Sequence, residues 1–229
     1  MHLVVKKNIV IGEKMSGKEN ILIVCALEAE TQGQLDDYFE DKRQILYTGV
    51  GKVNATLKLT HRLRASHLHY LPLMPKLVIN YGTAGSRELP VGKVVDCTKF
   101  IQRDMNAIPM GFMKGQTPFE NNIPIVLDST HIKFNPIQKH YICGSGDNFV
   151  DNMENEIDYI DVFDMEAYAL AKVCHHYNVP FISFKYITDN ANEHSASDWK
   201  DNCADGIVEF KEKVLLKIKK ELDFIKNNT

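Results

Sequence analysis

Four carboxylate clusters and one hydroxyl-bearing glycine turn are the parts of this chain whose residue types suit proton transfer. Glu28-Ala29-Glu30 follows the apolar run Ile21–Ala26 at once, and Gly82-Thr83-Ala84-Gly85 follows Leu77–Asn80. Gly144-Ser145-Gly146-Asp147 comes after Tyr141–Cys143, Asp164-Met165-Glu166 opens a helical pattern, and Asp189 ends the apolar run that starts at Phe181. Carboxyl groups serve as general acids and bases, and backbone N–H groups at a glycine turn can approach a ligand closely. Each cluster also has an ordinary structural explanation. Acidic residues favour a helix N-terminus, an aspartate after a strand caps or turns the chain, and glycines make tight turns. Taken singly, none decides between chemistry and structure.

Other chemistries find less support. His175 and His176 stand side by side with His194 beyond them, a spacing that fits no metal-binding pattern, and HHYNVP reads as a helix C-terminus where histidine is favoured. The cysteines, Cys25, Cys97, Cys143, Cys174 and Cys203, are widely spaced without a C-x-x-C pair, as expected of small buried thiols. Lys52 follows Gly51, but Gly49-Val50-Gly51-Lys52 lacks the spacing of a phosphate-binding loop. Neither a metal nor a cofactor is expected.

The elements that must position these groups alternate. Ile21–Ala26, Ile45–Val50, Leu77–Asn80, Val91–Phe100, Tyr141–Cys143 and Phe181–Ile187 read as strands. Lys52–Leu63 and Asp164–Tyr177 carry helical spacing, Ala29–Phe39 is helix-compatible, and the C-terminal stretch is an amphipathic, lysine-rich helix. The region 104–135, rich in Pro, Gly and Asn, reads as a long excursion or lid. Strands alternating with helices predict an α/β domain with a central mixed, mostly parallel sheet flanked by helices. In such folds ligands bind beyond the carboxyl ends of the strands, so the polar clusters would converge on one side.

At 229 residues the chain suits one catalytic domain over 21–229, with residues 1–20 as an extension or edge strand. A formal net charge of −3 argues against general affinity for nucleic acid. No apolar run approaches the ~20 residues of a membrane span, and the N-terminal residues lack a signal-peptide pattern. A cytoplasmic protein is expected.

Taken in order, six segments resemble one family. Ala26-Leu27-Glu28-Ala29-Glu30, Gly49-Val50-Gly51-Lys52-Val53-Asn54-Ala55, Asn80-Tyr81-Gly82-Thr83-Ala84-Gly85, Ser145-Gly146-Asp147-Asn148-Phe149, Asp164-Met165-Glu166-Ala167 and Ile187-Thr188-Asp189 look like motifs of the purine nucleoside phosphorylase/uridine phosphorylase superfamily. The similarity is greatest to its methylthioadenosine/S-adenosylhomocysteine nucleosidase branch and covers about Ile21 to Phe210. It implies a partly barrel-like sheet, a homodimer, a small-molecule nucleoside substrate and a place in methionine salvage. It also implies roles. Asp189 matches the general acid toward purine N7. Glu30 matches the base that orients and deprotonates water, and Thr83 a hydroxyl near that water. Glu166 matches the ligand of the ribose hydroxyls, with Met165 packed on the sugar. Phe149 matches the aromatic stacked on the base, whose edge the main chain of Val150 would read. Val50, Ala84, Gly85, Asp164, Lys185 and Ala191 fall among the substrate-binding positions.

Hydrolysis rather than phosphorolysis follows from the same comparison. Phosphorylases of the superfamily carry a Gly-Asp-Pro-x-Arg loop after the first strand and an arginine three residues before the turn hydroxyl. This chain has Leu27-Glu28-Ala29-Glu30 and Asn80 there, and a phosphate dianion needs cationic donors. Acid groups around the site, with nothing positive, favour water. A phosphate-dependent purine nucleoside phosphorylase and a non-catalytic binding or storage member are the competing readings. The chain departs from the nucleosidase pattern at Lys185, where arginine is usual, at Asp164, where glutamate is usual, and in Ile108–Glu120. Met105, Met110, Phe112 and Met113 would offer an apolar wall to a 5′-thioalkyl group.

Overall fold

The computed structural model describes residues 20–227 apart from 37, 40, 69–73, 121–124 and 155. Of the extension or edge strand expected over residues 1–20, residues 1–19 lie outside them. Ile21–Cys25 (β1) is buried along its whole length, as an uninterrupted aliphatic run must be when both faces of a sheet are covered. It pairs in parallel with Ile45–Tyr47 (β2) on one side and Leu77–Gly85 (β3) on the other. From β3 the sheet closes on itself. Phe181–Asp189 (β8) pairs in parallel with β3 and antiparallel with Val94–Gln102 (β4). Tyr141–Ser145 (β6) continues from β4 in parallel, and Val162–Asp164 (β7) continues from β6. A single antiparallel pair, Gly85 opposite Phe163, returns β7 to β3. Val126–Asp128 (β5) pairs outside this ring, against β4. The sheet is therefore mixed, mostly parallel and barrel-like, as expected.

Helices cover both faces. Lys52–His67 (α1) buries Ala55, Leu59 and Leu63 as a stripe at four-residue spacing. It packs beside Ala167–His176 (α2), of which nearly every side chain from Ala167 to Cys174 is buried. On the opposite face, Gly206–Phe210 (α4), one π turn at Lys211–Leu215 and Leu216–Asn227 (α5) form the C-terminal helix. Ile207, Phe210, Val214, Leu215 and Ile218 enter that second core, where Phe210 stacks on Tyr81 with ring centroids 4.3 Å apart. No helix among the described residues is long and apolar enough to cross a membrane.

Three local expectations differ. Ala29–Phe39 is a series of tight turns after a 3-10 turn at Glu28–Glu30, because Gln32 and Gly33 both adopt positive φ and interrupt any helix. Asp164 ends a strand instead of opening a helix, since Val162–Asp164 completes the barrel. The excursion 104–135 contains β5. A further helix, Ser195–Asn202 (α3), follows β8.

Candidate active site

The carboxyl ends of β1, β3, β7 and β8 meet. After β1 the chain tightens so that Glu30 bends back and its Oε2 accepts the Leu27 N–H at 3.0 Å. Its Oε1 accepts both the backbone N–H (2.9 Å) and the hydroxyl (2.8 Å) of Thr83. Three donors thus hold a buried carboxylate in one orientation. Thr83 Oγ1 accepts in turn from the indole Nε1 of Trp199 on α3, at 2.9 Å.

Asp189 is re-aimed by a bulge. The β3–β8 register shifts between Ala84 and Gly85, so that Gly85 faces Asp189 instead of Thr188. Thr188 Oγ1 donates to Asp189 Oδ2 (2.8 Å), and the Ala191 N–H donates to Oδ1 (3.0 Å). A Cβ on Gly85 would stand 2.5 Å from Asp189 Oδ1, so any larger residue there would displace that carboxyl.

Under the third strand end lies a buried ion pair. Lys185 Nζ contacts Asp164 Oδ2 at 2.8 Å, with both side chains at or below 1% exposure. Ser145 Oγ and the Ala167 N–H also donate to Asp164. Burial by itself pulls the lysine down, but Asp164, Cys143 and Glu166 outweigh it and hold Lys185 above the ordinary lysine value. Burial likewise pushes Asp164 up, yet Lys185 and the donors to it leave the carboxyl below its usual range. The two departures noted at Lys185 and Asp164 are thus one arrangement, in which the cation and the carboxylate face each other. Glu166 beside them is pushed up to about 8, first by burial and then by the Asp164 charge, and its Oε1 accepts the Gly51 N–H at 2.8 Å. Gly51 takes φ 92°, a conformation that side chains resist, and so turns its N–H to that carboxyl.

The Gly146–Val150 loop closes the remaining side. Arg103, at the end of β4, binds Glu156 at 2.8 Å and the carbonyl of Asn148, and lies 2% exposed. Lys52 ties Asp104 and Asp147 together, which joins this loop to the start of α1.

These groups enclose a cavity of about 440 Å³, within the range of small-molecule sites. Glu30, Val50, Thr83, Ala84, Gly85, Phe149, Val150, Asp164, Met165, Glu166 and Asp189 all line it. Two expected binding residues do not. Lys185 lies beneath the floor, drawn to Asp164, and Ala191 turns with φ 51° so that its N–H supports Asp189 from behind. Met105, Met110, Phe112 and Met113 are also outside the lining, with Met110 and Met113 exposed. The expectation that nothing positive borders the site fails as well, since Arg103 and Lys200 line it. Arg103 is neutralised by Glu156. Arg103 stands at a strand end, the kind of position where the other groups were sought. Trp199 and Ala196 lie on a helix with no strand-end signal, and only the folded chain brings them to the cavity.

Comparison with known proteins agrees with this geometry. Residues 29–220 match the model of the phosphorylase superfamily. A 5′-methylthioadenosine/S-adenosylhomocysteine nucleosidase of Anoxybacillus flavithermus is 32% identical over 168 residues, 66% of this chain and 69% of that protein. The Streptococcus pneumoniae MTA/SAH nucleosidase in complex with 8-aminoadenine superposes with a TM-score of 0.71 at 20% identity, over 88% of this chain and 99% of that one. The Neisseria meningitidis 5′-methylthioadenosine/S-adenosylhomocysteine nucleosidase in complex with methylthio-immucillin-A gives 0.70 at 22%, over 89% and 99%. At such identities the superpositions speak for the fold, and the family match spans most of the chain that builds the cavity. With barrel, strand-end carboxylates and family match in agreement, the chain belongs to the phosphorylase superfamily.

Proposed function

We propose that this protein hydrolyses the N-glycosidic bond of an adenine-type nucleoside, 5′-methylthioadenosine or S-adenosylhomocysteine, releasing the base and a ribose derivative. The observation that carries this reading is that Glu30, Glu166 and Asp189, from three different strand ends, line one cavity. Cleavage needs a proton on the leaving base while the sugar gains positive charge, and a water for the sugar carbon. Asp189 protonates purine N7, Glu30 takes a proton from the water beside Thr83, and Glu166 holds the ribose hydroxyls with Met165 against the ring. Phe149 stacks on the base and Val150 reads its edge. Val50, Ala84 and Gly85 complete the wall.

Water is favoured over phosphate because the cavity's buried cation is already committed to Glu156. Asn80, at the position where phosphorylases carry arginine, is buried and engaged with Ser183 at 2.7 Å and the Val24 carbonyl at 3.0 Å. Residues 21–229 act as one catalytic unit in methionine salvage. The protein works as a homodimer, a reading that rests on the family resemblance. Free cysteines, four of them buried, fit a reducing cytoplasm.

Purified protein incubated with these nucleosides, without phosphate, is expected to release adenine, read by chromatography. Release that depends on added phosphate would make it a phosphorylase, and no release under either condition would leave a binding protein.

A further inference from the structure

The contact between α3 and the water-activating side of the cavity has no place in the chemistry above. Trp199 donates its indole N–H to Thr83 Oγ1 at 2.9 Å, and Thr83 Oγ1 stands 2.8 Å from Glu30 Oε1. An indole N–H only donates, and a hydroxyl has one proton. With its acceptor side taken by Trp199, the Thr83 hydroxyl has its proton left for Glu30. The chain of bonds therefore runs in one direction, Trp199 to Thr83 to Glu30. Trp199 itself lines the cavity, as do Ala196 and Lys200 from the same helix.

We infer that Trp199 is a positioning residue for hydrolysis: through Thr83 it fixes Glu30 in the orientation that activates water, and α3 is thereby part of the catalytic apparatus. The inference rests on the hydrolase reading. It concerns the hydrogen bond of the indole rather than its bulk, because a wall residue would need the ring alone. Removing the N–H while keeping an aromatic ring separates the two roles.

Trp199→Phe is expected to lower kcat about five- to ten-fold, the scale of one hydrogen bond, with KM within about two-fold. Thr83→Val removes the intermediary, so the double variant should lose no more than Thr83→Val alone. Thr83→Ser, which keeps the hydroxyl, should retain most of kcat. An independent reading needs no turnover. Trp199 is the chain's single tryptophan, so its emission reports on the surroundings of this one indole, and Thr83→Val, which removes the acceptor of its N–H, should shift that emission to shorter wavelength in the ligand-free protein. Unchanged kcat in Trp199→Phe, a loss confined to KM, multiplying losses in the double variant or an unshifted spectrum would each overturn the inference. Those failures are distinct from failure of the hydrolase reading, in which the unaltered protein would release no adenine without phosphate.

Discussion

Replacing Glu166 by glutamine tests whether burial and the neighbouring charge govern the site. In the folded protein this carboxyl is pushed up to about 8, burial being the larger cause and Asp164 the next. In the unfolded chain its value is near the ordinary ~4.3. Between these values the native state binds a proton that the unfolded state does not, so stability falls as pH rises. The stability contributed by protonated Glu166 is full below ~4.3 and is lost as pH climbs through about 8. Each pH unit in that window removes about 1.4 kcal/mol, which amounts to roughly 4 kcal/mol between pH 5 and 8. Glutamine has nearly the same shape as the protonated acid and does not titrate. Urea unfolding of both proteins across pH 5–8 gives the stability difference, in which most other titrating groups cancel. Wild type minus variant should fall by roughly 4 kcal/mol over that range. A difference that stays flat would refute the reasoning and place Glu166 as an ordinary ionised carboxylate.

Other perturbations address neighbouring contacts. Gly85→Ala puts a Cβ 2.5 Å from the present position of Asp189 Oδ1, and should cut turnover by about 100-fold in steady-state assays while the far-ultraviolet spectrum persists. Lys185→Met strips Asp164 of its buried partner and should cost about 3–5 kcal/mol in urea unfolding, with part of the loss recovered when Asp164→Asn is added. Asp189→Asn should slow base release by roughly 10²–10⁴ with the fold intact, and normal turnover would remove Asp189 as the acid. Glu30→Gln should stop hydrolysis yet still bind a nucleoside analogue by calorimetry; lost binding would show a different role for this side chain.

Much of the architecture was legible in the chain. Ile21–Ala26 is an apolar run too short for a buried helix and too continuous for a half-exposed strand, and Phe181–Ile187 is rich in β-favouring residues, so local pattern marked both as strands. The parallel sheet gathers the ends of such strands on one side, and Glu30, Thr83, Glu166 and Asp189, singled out by strand-end position together with the family resemblance, line one cavity there. The limits lie where neighbours distant in sequence decide. Val162–Asp164 is only three residues long and becomes a strand because β6 and β3 flank it. The resemblance puts Lys185 among the substrate-binding positions, but its ammonium is drawn beneath the floor by Asp164, a charge whose position only folding sets. Arg103 and Trp199 reach the cavity by closure of the barrel and by the docking of α3. Periodicity and residue type record which face of an element is buried. They do not record which side chains from separate elements meet there, and that is the information the tertiary structure supplies.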